Sequence, residues 1–439
     1  MTIFDVLVHV ESTLGGVTMR KSLIFVVVMS MLLLPSWLFA GGQQEVDEDI
    51  VELTLALQAG EIEEDLRDEA LDEFHSQYPH IRVTEIVPIS AADWPDYFTQ
   101  VRTLIAGGDP PDVVRVAIEG IQYMVDANMA LPLNDFFDDY PEILDDYDDL
   151  HPNLQSAFEI DDNIYGLTWD WNNIVTHINT DMLEDVGLPF PDEDWSKEEF
   201  LEYAQALTRE VDGEQVFGIV VPEMYFQTNA WLYNFDAAFL TDDLSESALD
   251  TPEALDAFQF MYDLVHEYGV SPRPDPDPAY MDRFSAEQVA MVWAGRWPNA
   301  LWAENDVNFD IQYVPTFRTN EVIFGSGAFP VLTMSQNPEE AFLLSSFLSS
   351  REAQDITIQD DRIYSRISLM DEKVVPPPDN AHLYREAADI ARPVQSPPEY
   401  PELGDIFHRY YSAMMAQEMS VEDAVEAMHN EFNEALGVE

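Results

Sequence analysis

Residues able to do covalent or acid–base chemistry are present in this sequence, but not in the arrangements that such chemistry needs. No Gly-x-Ser-x-Gly elbow, His-Glu-x-x-His helix or phosphate-cradling Gly-x-x-x-x-Gly-Lys loop occurs. The nine histidines are scattered, and none pairs at metal-ligand spacing on an obvious helix. Asp275-Pro276-Asp277 is too proline-bound for a calcium loop. Gly107-Gly108 lacks the pattern of a dinucleotide turn. Without cysteine there is no thiolate chemistry, disulfide, iron–sulfur cluster or cysteine-linked lipid anchor. Glycoside hydrolysis needs two carboxylates at a defined separation, but carboxylates are so abundant here that finding two together carries no information. No enzyme activity, cofactor or metal is expected. Gln58 and Glu61 are placed differently: they follow the first strand, at a strand end where α/β sheets hold ligands.

Charge narrows the reading further. The 439 residues include 85 Asp plus Glu against 19 Lys plus Arg, a formal net charge of −66. Lys21, Lys197 and Lys373 are the only lysines. Such a chain repels itself in dilute buffer, and at ~1 M salt, where the Debye length is about 3 Å, the repulsion is largely screened. The acid is spread along the chain, which points to a protein built for brine and not to one polycation-binding patch. No basic stripe exists to neutralise phosphates, so nucleic-acid binding is not expected. With 46% apolar and 12% aromatic residues, the chain has material for packed cores, and its length suits two domains.

Met19-Arg20-Lys21, an apolar run Leu23 to Leu34 and the stretch Pro35 to Ala40 read as the basic, apolar and cleavage regions of a secretory signal peptide. The run is short for a membrane span of about 20 residues. Cleavage after Ala40 gives a mature start at Gly41. Residues 1–18 carry Asp5 and Glu11, which suit no signal, so the true start is expected at Met19. Beyond it, Val51, Leu53, Leu55 and Leu57 alternate as in a strand; Ile62, Leu66, Ala70 and Phe74 follow at helical spacing; Ile81 to Val87 reads as a second strand. Strand, helix, strand implies a parallel sheet with the helix as crossover. Further helices are predicted over 94–105, 195–207 (capped by Asp194 or Ser196), 254–268 and 341–348, and after a capping box at Ser420–Asp423. Pro272–Pro278, Pro376–Pro378 and Pro397–Pro401 read as loops.

Five segments, in order, resemble one family. They are Tyr97–Val114 (YFTQVRTLIAGGDPPDVV), Ala127–Phe137, Ile164–Leu201, Glu287–Trp297 (EQVAMVWAGRW) and Phe324–Ser350. Together they are similar to the family 1 extracellular solute-binding proteins, the group containing the maltose-binding protein. The chain departs from that family at His177-Ile178-Asn179, where an uncharged tyrosine-asparagine is usual. The resemblance implies an α/β, two-lobed periplasmic-binding-protein fold of the class II type, with lobes joined by hinge strands. Crossings are expected near 158–166, 318–325 and 350–356, giving a first lobe of 41–160 with 322–352 and a second of 161–321 with 353–439.

The same resemblance implies a substrate-binding subunit of an ABC importer, exported, periplasmic or extracellular, monomeric, with a sugar or oligosaccharide as ligand and permease subunits as partners. A sugar offers apolar C–H faces and a rim of hydroxyls, so its site needs flat rings and sideways polar groups. The match places Trp297 and Arg296 at the family's aromatic position, Tyr225 and Trp231 in a cleft-lining segment, and Trp169, Asp170, Trp171 and Asn172 at the lobe crossing. Glu119, seven residues after Asp112, takes the place of a hydroxyl-binding carboxylate. Gly325 and Gly327 let ligand approach the backbone. Trp302 is expected in the core, and Asp112 as a structural loop residue. The alternatives are the same fold binding a polyamine, a glycerol phosphate or a compatible solute, or an exported glycoside hydrolase. Arg115 and Arg296 keep an anionic ligand open.

Stability is expected to rise between ~0.1 M and ~2 M NaCl, the range over which exposed charges become screened. Thermal unfolding across that series checks it; a flat or falling melting temperature contradicts the brine reading.

Overall fold

In the computed structural model, residues 50–438 are described apart from 92–93, 109, 146, 275–278 and 359–361. The expected leader, signal peptide and start at Gly41, and the Asp275-Pro276-Asp277 stretch, lie outside the described residues. The chain opens with β1 (Val51–Gln58), α1 (Glu64–Gln77), β2 (Ile81–Ile89), α2 (Trp94–Gly107), β3 (Val113–Val114), β4 (Val116–Ala117) and α3 (Ile118–Asp126). The alternating apolar set of β1 forms the centre of a parallel sheet of order β2–β1–β3. The intervening α1 buries Ala70, Leu71 and Phe74, and carries Glu64 and Asp65 in its first turn, where the helix dipole favours negative charge. Asp112 has the structural role its position suggested. Its carboxylate accepts from the Thr54 backbone N–H (2.8 Å) and the Ser335 hydroxyl (2.5 Å), and so ties β1 to a distant loop.

A second sheet gathers segments far apart in sequence. It is built on β5 (Thr168–Asn173), with β6 (Val175–Asn179) following directly into a third sheet. That third sheet sets β6 between β7 (Met291–Ala294) and β8 (Phe309–Gln312), all antiparallel. In the second sheet, β5 lies between β9 (Val322–Ala328) and β10 (Ile363–Tyr364); β9 also pairs with β4 and with β11 (Ala391–Pro393). One strand, β9, therefore touches material from residues 116, 168 and 391 onward, which makes this sheet the junction of the molecule.

Helices cover both regions. They include α4 (Lys197–Leu207), α5 (Tyr225–Asn234), α6 (Pro252–His266), α7 (Pro338–Leu348), α8 (Arg351–Thr357), α9 (Tyr400–Met415) and α10 (Val421–Ala435). Ser196 is the cap of α4, in a full capping box with Glu199. At α10 Ser420 accepts from the Asp423 N–H. The Pro397–Pro401 stretch is not all loop: α9 begins at Tyr400, with Pro401 in its first turn, where a missing N–H loses nothing. One part of the core is aromatic. Trp231 stacks on Trp293 at 4.3 Å, Phe317 and Phe260 close around them, and the Lys197 ammonium sits 4.0 Å from the Phe260 ring. Trp302 is fully buried. His177 is buried between Asn299 and Tyr384, and burial holds its imidazole down at about 3, so it is a neutral core residue.

Candidate functional site

A cavity of about 600 Å³ opens where these layers meet, within the ~300–1,000 Å³ range of small-molecule sites. Its walls come from the carboxyl ends of β1 and β4, from β5 and β9, from the start of α5, from Trp297 and from one side of α9.

Beneath it lies a buried network of four charges. The Arg115 guanidinium donates to Asp170 Oδ1 (2.9 Å) and to the Val116 carbonyl (2.7 Å), and pairs with Glu61 Oε1 (3.0 Å). Arg362 bridges the same two acids, reaching Asp170 Oδ2 at 3.0 Å and Glu61 Oε1 at 3.4 Å. Both guanidiniums lie over the Trp169 ring, at 5.0 and 5.5 Å from its centroid. Burial pushes the Glu61 carboxyl up, against the pull of Arg115 and Arg362. Two cations meet two carboxylates, so the floor of the cavity is close to neutral. Behind it, Arg296 donates its Nη1 to the Arg362 carbonyl (3.1 Å), and its backbone N–H donates to Asn172 Oδ1 (3.0 Å).

Glu119 stands apart from this network. It lies at the start of α3 in the cavity wall, 5% exposed, and its Oε2 has no hydrogen-bond partner among the described residues. Burial lifts its carboxyl to about 7; its own backbone N–H and Arg115 pull the other way, and Asp170 adds to the rise. Trp297 is half-buried and also lines the cavity. Its indole N–H donates to the Tyr280 hydroxyl (2.8 Å), and Phe226 meets it edge-on at 6.3 Å. A side chain at Gly295 would strike the Trp297 ring at 2.1 Å, which is why a glycine precedes the Arg296-Trp297 pair.

The residues expected from sequence divide into two groups. Gln58, Glu119, Asp170, Trp171, Asn172, Tyr225, Trp297 and Gly325 line the cavity. Glu61, Trp169, Arg296, Trp231 and Gly327 do not. Glu61 and Trp169 build the floor network from below, Arg296 braces it from behind, and Trp231 lies in the aromatic core, one and a half turns beyond Tyr225 on α5. Gly327 makes room for protein and not for ligand: a Cβ there would fall 1.7 Å from Arg115 Nη1. Arg115 and Arg296, which left an anionic ligand open, have their guanidiniums turned to protein acceptors. Missed in the sequence were Arg362, Trp94 and the α9 face, Tyr400, Gly404, Asp405, His408 and Ser412. The four-residue spacing of Tyr400, Gly404, His408 and Ser412 was the available signal.

Comparison with known proteins now decides the family. The bacterial extracellular solute-binding proteins match residues 59–355, well over half of the chain. The chain belongs to that family. Similar solved structures give the fold. An ABC substrate-binding protein of Listeria monocytogenes, in complex with cycloalternan, is 22% identical with a TM-score of 0.80, covering 89% of this chain and 100% of its own. Maltose-bound MalE3 of T. maritima is 21% identical, TM-score 0.72, covering 87% and 99%. The maltotriose-bound MalE domain of Bdellovibrio bacteriovorus is 18% identical, TM-score 0.72, covering 88% and 100%. This solute-binding protein therefore has the two-lobed periplasmic-binding-protein fold. Among its described residues no helix is long and apolar enough to cross a membrane.

Two glycines in β9 separate floor from wall. Gly327→Ala is expected to displace Arg115 and destabilise the fold by about 3–5 kcal/mol, as for one lost partner of a buried ion pair. Gly325→Ala meets Phe226 at 3.4 Å and Glu119 Oε1 at 4.0 Å, both ordinary contacts, and is expected to fold with little loss. Denaturant unfolding of the two variants checks this; equal losses contradict it.

Glu119 makes stability fall as pH rises. Below its ordinary value of 4.5 the carboxyl is protonated in folded and unfolded chains alike. Between 4.5 and about 7 the unfolded chain releases the proton while the folded chain holds it, so stability is lost. The limit is about 3 kcal/mol, at ~1.4 kcal/mol per pH unit. Glu119→Gln is expected to gain stability over wild type between about pH 5 and about pH 8. Melting curves at both pH values check this; a pH-independent difference contradicts it.

Proposed function

We propose that this chain is the exported binding subunit of an ABC import system, capturing a neutral sugar or oligosaccharide and delivering it to membrane permease subunits. The observation that carries the reading is the composition of the cavity wall. Trp171, Phe226, Trp297 and Tyr400 supply rings for apolar sugar faces, while Gln58, Asn172, Glu119 and Asp405 supply polar edges. The floor cations Arg115 and Arg362 are matched by Glu61 and Asp170, which disfavours a phosphorylated ligand. The Glu119 Oε2, Trp171 Nε1 and Tyr225 hydroxyl groups, without a hydrogen-bond partner among the described residues, are what a hydroxyl-rich ligand would satisfy. The sugars bound by the similar structures support the same class.

Lobes of 41–160 with 322–352 and 161–321 with 353–439 belong to this reading, with closure on a ligand touching both, since a ligand held equally by open and closed forms shifts nothing. Export rests on the Met19–Ala40 signal pattern.

Trp297→Ala is expected to weaken sugar binding about ten- to a hundredfold, roughly 1–3 kcal/mol for one large aromatic surface, and to leave the fold intact. Calorimetric titration with a melting curve on the same variant measures both. Unchanged affinity in a clearly destabilised variant removes Trp297 from the site.

A further inference from the structure

Gly404 sits inside α9, as its fifth residue and well before its end at Met415. Glycine in a helix interior is destabilising relative to alanine, so such a position needs a reason. At three other glycines of this chain the reason is crowding. A Cβ on Gly120 would fall 2.1 Å from Phe98, one on Gly218 would fall 2.0 Å from the Ala204 carbonyl, and Gly327 has its Arg115. At Gly404 the opposite holds: a Cβ would have no neighbour within 4 Å. Yet the residue is buried. The direction a side chain would take from Gly404 is open, and Gly404 lines the cavity, with the exposed Asp405, His408 and Ser412 on the same helix. Its φ is not in the left-handed region, so the backbone does not demand glycine.

The neighbours on the same face give that space its character. Tyr400, Gly404, His408 and Ser412 recur every four residues and all line the cavity, with Asp405 beside them. Tyr400 is held against Tyr225 with ring centroids 5.3 Å apart. The helix thus presents a ring, a gap and then a row of polar groups.

Building on the proposed sugar ligand, we infer that Gly404 is a specificity-determining residue: the notch left by its missing side chain, between Tyr400 and His408, receives the far unit of an oligosaccharide. Gly404 adds no contact of its own. It leaves space that a larger residue would take from the ligand, and so sets the longest ligand the cavity accepts.

The test uses the mature chain at high salt, titrated calorimetrically with maltose, maltotriose and maltotetraose. In wild type, affinity is expected to rise with chain length. In Gly404→Leu, the ratio of tetrasaccharide to disaccharide affinity is expected to fall by about tenfold or more, the scale of one lost subsite contact. Disaccharide affinity is expected to stay within about threefold of wild type. Equal weakening of both ligands, or no change in either, overturns the assignment. A wild-type chain that binds no member of the series overturns this assignment; the sugar reading itself falls only if a wider set of neutral sugars also gives no heat. Gly404→Ala supplies a ligand-free check: with no neighbour to meet, it is expected to melt at or above the wild-type temperature. A clearly lower melting temperature shows the notch already filled by protein and overturns the assignment.

Discussion

The binding region depends on one buried cation. Arg115 is 2% exposed, and an isolated charge at that depth would carry a desolvation penalty of several kcal/mol. Its partners are therefore constraints on the chain. Glu61 comes from the loop after β1, Asp170 from β5, and Arg362 joins from a segment hundreds of residues on to share both acids. Gly327 on β9 gives the guanidinium its space, and Trp169 gives it a ring to lie on. Five separate stretches of sequence are fixed relative to one another by this arrangement, and each also carries or adjoins a residue of the cavity wall.

The same network explains how so acidic a chain can hold an electrically quiet floor under its cavity. The net charge of −66 is met in this place by two arginines spent on two carboxylates. Among the described residues Glu119 has no ion pair, and burial outweighs the pull of Arg115 and raises its carboxyl. Lys197 is likewise used inside the fold, on aromatic rings. Glu223 is also buried, accepting from the Ala279 and Tyr280 backbone N–H groups, while many of the other described acids face solvent, where salt screens them.

Much of this was legible in the sequence, for identifiable reasons. Period-two and period-four patterns gave β1, α1 and β2, because burial on one face dictates such spacing. The order of five segments gave the family and the two-lobed fold. The site was legible only in part. Trp297, Trp171 and Glu119 lie at the cavity wall, but Trp231 and Trp169 are the same residue type turned into packing, and no local signal separates a wall tryptophan from a core one. Arg362 could not be read because its role exists only through Glu61 and Asp170, hundreds of residues away. The α9 face was obscured by its prolines, which suggested a loop where Pro401 instead opens a helix.

The central claim is that a charge-compensated floor selects a neutral ligand. The most direct measurement is a calorimetric titration of the mature protein, at high salt, against a neutral disaccharide, its phosphate ester and a linear polyamine. The account expects heat from the neutral sugar alone. Tight binding of the phosphate ester or of the polyamine, with none of the neutral sugar, would contradict it.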